Sequence, residues 1–323
     1  MECENDENSP ACLRSKQMNW VLELQKEESP NLLNELSVLK SMEAEQTRDE
    51  IKTIWDEAGK NVPVFHEAMG SKDELVSVIG AIVPTFRLWH QGDKTLLVAP
   101  SLNAKHRPCV GSEFDHQPTA ATCTVFLVAP DIAVTAAHCV GEDTTRWMTD
   151  HRVVFEYSSE ADTDAGFVLA TDNIVTITEV EKSSNADEDW AILHLGAMRQ
   201  NVTPLSIGSL SEADTLPLVA LGHPLGLPLK QRSGFLKEVE GTKHFRIVMD
   251  VFHGDSGAPV LLPGTNIVIG MIVQGAPDWV PIPSEGCSFY FDCLDPGSNC
   301  KGEQVLRVDV IPFDEAPPHV SGP

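Results

Sequence analysis

From about Val110 onward the chain breaks into short, apolar, β-branched runs separated by Gly, Pro, Asp and Asn. They include VFLVAP, IAVTAA, RVVFEY, NIVTITEV, WAILHL, LPLVALG, FRIVMDVF, APVLL and NIVIGMIVQG. Runs of this length are too short for ordinary helices and have the composition of strands. Many of them at close spacing predict an all-β sandwich or barrel. No alternation of strand and helix supports a parallel sheet.

The first part of the chain has a different texture. In NLLNELSVLKSMEAEQTRDEIKTIWDEAG, apolar residues recur three or four apart: Leu32, Leu33, Leu36, Leu39, then Ile51, Ile54 and Trp55. This is the pattern of an amphipathic helix. Ser29-Pro30-Asn31 offers a start and Gly59 a stop. The expected organisation is a helical region over 1–78, a linker over 79–109, a β domain over 110–313 and a Pro-rich, mobile tail over 314–323. The helical region carries no catalytic motif. A pro-segment, a partner-binding hairpin and a cap on the next domain all fit it.

Composition narrows the function. The net charge is −25 and the pI about 4.7. Nucleic acid is excluded as a partner, because phosphate binding needs clustered Lys and Arg. The acidity keeps the chain soluble and would attract a cationic substrate. No apolar run approaches the roughly 20 residues of a membrane helix, so no membrane insertion is expected. The acidic start, MECENDENSPACLRSKQMNW, lacks the basic and apolar segments of a signal peptide. Eight cysteines without a CxxC pair point to disulfides and an oxidising compartment rather than a zinc ribbon. These two signals disagree: the start is incomplete, or export uses another route.

Three places can carry chemistry. In VFLVAPDIAVTAAHCV, two β runs flank Pro130-Asp131, which reads as a hairpin; His138 follows the second run. Taken alone, that histidine fits a structural role. Asp189 stands just before the apolar run Trp190 to Leu195. It could cap a turn or orient a histidine. Ser256 lies in HGDSGAP, preceded by Gly254 and followed by the small residues Gly257 and Ala258. Glycine at 254 lets its own N–H and that of Ser256 point the same way, as in an oxyanion hole. The chain order His138, Asp189, Ser256 is one of several orders used by Ser-His-Asp hydrolases.

On these motifs the chain resembles the trypsin-like (chymotrypsin-fold) serine peptidases over residues 110 to 313. TAAHC (Thr135–Cys139) is similar to the family's histidine motif, GDSGAP (Gly254–Pro259) to its serine motif, and Asp189 in DWAIL to its aspartate. ALGHPLGLPLK (Ala220–Lys230) and CSFYFDCLDPGSNCKGE resemble the bacterial branch that includes glutamyl endopeptidases. The resemblance implies a chymotrypsin-like double β-barrel and hydrolysis of protein or peptide substrates. It assigns Ser256 as nucleophile, His138 as base and Asp189 as its orienter, with the N–H groups of Gly254 and Ser256 as oxyanion donors. It implies a Cys123–Cys139 disulfide, no metal, no organic cofactor, and a secreted or periplasmic location.

It also implies a substrate cleft bordered by Val273, Gln274 and Gly275, with His253 at its rim. Asp250, six residues before Ser256, would lie at the base of the S1 pocket. There it selects a basic P1 residue or serves as a structural acid. No histidine of the kind that holds an acidic P1 side chain stands on the 273–275 strand.

There are departures from the family. Trypsins mature by cleavage before an Ile-Val-Gly-Gly-like start, whose new amine pairs with the aspartate beside the serine. Asp255 is present here, but no such start is. It would find an internal cation or backbone donors, or a different N-terminus is cut. Phe252 stands where trypsins carry a serine-loop cysteine. Cys109, Cys287, Cys293 and Cys300 could form two bridges of undetermined pairing; Cys3 and Cys12 are free or joined together.

Asp162 to Gly166 resembles half a calcium loop and reads as a turn; Asn201-Val-Thr203 is a sequon. A catalytically silent protease-fold binding module is the alternative function. A zymogen, held inactive by residues 1–109, combines the two.

Overall fold

The computed structural model describes residues 66–67, 74–109, 114–163, 166–183, 185, 187–210, 217–282, 284, 286–291 and 300–313. Within them the molecule is built from strands. The described α-helices are two short ones, Leu102–His106 and Thr144–Asp150. The helical pattern expected over 29–59, Cys3, Cys12, Cys293 and the tail 314–323 lie outside the described residues.

One sheet has seven strands in the order Ile174–Val175, His151–Phe155, Ile79–Pro84, Cys123–Ala129, Ile132–Thr135, Ala191–Leu195, Ile177–Lys182. Its two edge strands are separated in sequence by Thr176 alone. One pairs with His151–Phe155 and the other with Ala191–Leu195. That single chain segment therefore joins both edges, and the sheet curls into a barrel. Cys123–Ala129 shows why the sequence folds this way. Val125, Phe126 and Leu127 are all fully buried, and burying each such side chain contributes about 1.5–3 kcal/mol. Pro130 and Asp131 then reverse the chain into Ile132–Thr135, as the sequence predicts.

The second sheet has eight strands, six of which form a ring. Pro217–Gly222 pairs with Lys230–Glu240, which pairs with His244–Val248; Glu303–Arg307, Ile267–Gln274 and Pro259–Leu261 lead back to Pro217–Gly222. Ser206–Ile207 adds a parallel pairing to Ile267–Gln274. The short strand His66–Glu67 pairs with Gln231 and Lys230. The fold is thus all-β, a chymotrypsin-like double barrel. One continuous apolar cluster, from Ile82 and Val125 through Leu221 and Leu261 to Met271 and Leu306, lies across both barrels.

Two expectations need correction. Residues 79–109 are not a linker. Ile79–Pro84 is wholly buried and pairs on both sides, and Leu88–Gln91 and Lys94–Leu97 form a further hairpin. The first barrel therefore begins at Ile79 rather than near residue 110. IGAIVP is a continuous apolar run of a strand buried on both faces, so it lacks the alternation that marks a surface strand. The second correction concerns the reach of the helical region towards residue 78. His66–Glu67 is extended, because it finds backbone partners on Lys230–Glu240. Thr163 pairs with Gly166, so the strands Asp162–Thr163 and Gly166–Ala170 run antiparallel.

Candidate active site

The site lies where the two barrels meet. His138 sits in a 3-10 turn, Ala137–Cys139, directly after the strand Ile132–Thr135. A disulfide joins Cys139 to Cys123 on the neighbouring strand and fixes the turn. The register Ala191↔Thr135 then sets Asp189, just ahead of its strand, beside that turn. Asp189 Oδ1 accepts the His138 backbone N–H at 2.9 Å, and its Oδ2 accepts from His138 Nδ1 at 2.6 Å. On the far side of the ring, His138 Nε2 lies 2.8 Å from Ser256 Oγ.

With Asp189 ionised, Nδ1 carries the ring proton and the Nε2 lone pair faces the Ser256 hydroxyl. Such a chain can draw a proton from Ser256 and hold the imidazolium that results. Burial pushes the Asp189 carboxyl up. The hydrogen bonds and charge of His138 and the Ala137 N–H outweigh it and hold the carboxyl below the ordinary aspartate value.

The serine loop is a tight turn with its N–H groups sorted. Phe252 N–H donates to Asp255 Oδ2 and His253 N–H to Asp278 Oδ1. Asp255 N–H donates to Phe252 O, Gly257 N–H to Ile272 O and Ala258 N–H to Asp255 O. Among the described residues, the N–H groups of Gly254 and Ser256 have no acceptor. They are the two donors left over for an oxyanion. Gly254 has φ +97°, and a Cβ there would stand 2.3 Å from His223 O, so only glycine fits.

Residues 123–271 match the family model of the trypsin-like peptidase domain. Over these residues the chain is similar to the trypsin-like peptidases. No curated protein matches it. Among solved structures, a Glu endopeptidase in complex with MPD is 16% identical, covering 76% of this chain and 91% of its own at a TM-score of 0.45. The active form of the Rv3671c protease from M. tuberculosis is 18% identical, covering 77% of this chain and 87% of its own at 0.42.

Around Ser256, Asp250 and Val273 are buried, while His253, Gln274 and Gly275 are exposed. Thr124, a residue the motifs do not reveal, ties the barrels together. Its N–H donates to Ser256 O at 2.9 Å and its hydroxyl to Gly254 O at 2.8 Å. Thr135 in turn donates its hydroxyl to Thr124 O at 2.8 Å.

Glu303 is a second residue missed by sequence reasoning. It is 1% exposed, its Oε2 accepts the Ala276 N–H at 2.7 Å, and a Cβ on Gly275 would stand 3.1 Å from the same oxygen. Burial pushes its carboxyl up to about 8, against the pull of the Ala276 N–H and with help from Asp250, Asp255 and Asp278. No local motif marks it; only the strand pairing of Glu303–Arg307 with Ile267–Gln274 brings it there.

Cys109 is bonded to Cys287, and Cys300 is also disulfide-bonded. Cys123, His138 and Cys139 cluster closely enough to suggest a metal, but the two sulfurs are joined to each other and are not thiolates.

Proposed function

We propose that the peptidase domain is a serine endopeptidase that cleaves proteins or peptides through an acyl-enzyme. Ser256 Oγ attacks the scissile carbonyl while its proton passes to His138 Nε2. The Gly254 and Ser256 N–H groups take the oxyanion, and His138 returns the proton to the leaving amine. Water, activated by the same histidine, then frees the acyl group. The observation that carries this reading is the unbroken chain from Asp189 through His138 to Ser256.

Substrate backbone would lie along Val273, Gln274 and Gly275, with His253 at the rim. Asp250, assisted by Glu303, would favour a basic P1 side chain. The disulfides support an oxidising, extracellular or periplasmic setting. The catalytic unit then runs from Ile79 to Phe313, with the upstream residues acting as a pro-segment or partner-binding region.

The test is labelling of the full chain by a fluorophosphonate probe, with Ser256→Ala beside it. Labelling that disappears in Ser256→Ala is the expected result. A folded wild-type chain that takes no label in any form would sink the enzyme reading and favour a silent binding module.

A further inference from the structure

The Gly254 and Ser256 N–H groups can hold an oxyanion only if their peptides face the right way. In a planar, trans peptide the C=O and the N–H point in opposite directions. Whatever holds the His253 carbonyl therefore aims the Gly254 N–H, and whatever holds the Asp255 carbonyl aims the Ser256 N–H. The Asp255 carbonyl is held within the serine turn, by the Ala258 N–H at 2.8 Å. The His253 carbonyl is held from outside it, by the Leu225 N–H at 2.5 Å.

Leu225 pays a conformational cost to make that bond. It lies in the 3-10 turn Pro224–Gly226 with φ 58° and ψ 12°, a left-handed conformation in which a Cβ crowds the backbone. Such a conformation persists only where its surroundings over-determine it. Leu225 is 1% exposed and belongs to the apolar cluster of Leu227 and Phe252. Beside it, the His223 carbonyl lies against Gly254 and accepts the Gly226 N–H at 3.0 Å.

A side chain of the first barrel fastens this turn to the serine turn. Thr124, wholly buried on the strand Cys123–Ala129, accepts the His223 N–H at 3.0 Å and donates its hydroxyl to Gly254 O at 2.8 Å. One hydroxyl thus spends its donor on one turn and a lone pair on the other. An apolar group in its place would strand a buried N–H and a buried C=O together.

We infer that Thr124 is a positioning residue for acylation. Its hydroxyl clamps the His223–Gly226 turn to the serine turn. Leu225 is then placed to take the His253 carbonyl, and the Gly254 N–H stays aimed at the oxyanion before substrate arrives. This rests on the reading of Ser256 as the nucleophile.

The experiment uses the full chain with Thr124→Val, which keeps the shape and removes the hydroxyl, and Thr124→Ser, which keeps the hydroxyl. It follows the fluorophosphonate labelling rate, kcat and KM on a peptide substrate, and thermal melting. It also follows the affinity for a peptidyl trifluoromethyl ketone, to whose carbonyl Ser256 adds, leaving an oxyanion in the hole. Thr124→Val should acylate about 10²-fold more slowly, the loss expected for an impaired oxyanion donor, with KM little changed. Its affinity for the ketone should fall by a similar factor. Thr124→Ser should keep most of the wild-type rate. A merely structural role would lower the melting temperature and leave the rate and the ketone affinity of the folded protein alone.

A folded Thr124→Val that acylates at the wild-type rate would overturn the inference while leaving the peptidase reading intact. So would a Thr124→Ser as slow as Thr124→Val, since the hydroxyl would not then be the cause. If Thr124→Val does not fold, crystals of the wild-type chain, free and with the ketone, decide. A Gly254 N–H aimed into the site in both supports the clamp; a His253–Gly254 peptide that turns only when the ketone binds overturns it. If no wild-type form labels, the peptidase reading fails and takes this inference with it.

Discussion

The two barrels bury different things. In the first, the buried polar residues are uncharged: Thr95, Thr124, Thr135, Ser158 and Asn173. In the second, His223, Lys230, Arg232, Asp250, Asp255 and Glu303 are all buried. Taking ionic groups out of water costs several kcal/mol each unless they are well paired, so the second barrel is the less economical of two similar frames. The contrast follows the division of chemistry. The first barrel hangs His138 and Asp189 on its rim, where His138 is exposed, and needs only an apolar frame behind them. The second shapes the serine turn with the buried Arg232–Asp255 pair and lays the floor beneath Gly275 with the buried carboxyl of Glu303.

If this contrast holds, damage to each barrel has its own signature. The largest effect should come from Asp189→Asn. The amide can leave His138 in the wrong tautomer, and acylation should fall about 10⁴-fold with the fold retained. An undiminished labelling rate would show that Asp189 does not orient the ring. Next is Phe126→Ala in the first barrel. It should cost about 3–5 kcal/mol of stability by opening a cavity, as read by denaturant unfolding, with P1 preference unchanged. A shift in P1 preference would mean the apolar frame is not separable from specificity. Third, Asp250→Asn should lower kcat/KM for Arg or Lys substrates relative to Leu substrates. The expected loss is about 10²-fold, as for truncating one member of a buried charge pair. Equal losses on all substrates would make Asp250 a structural acid.

The hydrogen-bonded chain Asp189–His138–Ser256 and most strands of the first barrel are more legible in the sequence than the buried charged residues. TAAHC and GDSGAP are local: small residues, a turn and a reactive side chain within a few positions. The strand Ala191–Leu195 follows Asp189 closely enough to fix its place. Ile79–Pro84 carries no strand signal of its own, because a strand buried on both faces has no alternation. Arg232 and Glu303 gave no signal at all. Each is an ordinary charged residue in its own strand, and its burial is decided by partners far away in sequence, Asp255 for one and the Gly275–Ala276 backbone for the other. Local patterns locate the candidate reactive groups; the buried charged groups around them depend on which strands become neighbours.

Glu303 gives the smallest effect and the sharpest test of the contrast. Its carboxyl is raised from an ordinary 4.5 to about 8 in the fold. Between these values the folded state holds a proton that the unfolded chain has lost. Its contribution to stability is therefore present below about 4.5 and is lost as pH rises towards 8. His223 has the opposite sign. Burial lowers it to about 3, so stability is lost as pH falls from 6.5 towards that value. Glu303→Gln keeps an acceptor for the Ala276 N–H and removes the titration. The wild type should therefore lose stability relative to the variant by about 1–3 kcal/mol between pH 5 and pH 8. The acid-side loss from His223 should remain in both proteins. A small cation such as benzamidine, bound beside Asp250, would favour ionised Glu303. Its affinity for the wild type should therefore rise over the upper half of that range, and the rise should be absent in Glu303→Gln. If the difference between the two proteins does not change with pH, Glu303 is already ionised in the free protein. The charged interior would then be better compensated than its burial suggests.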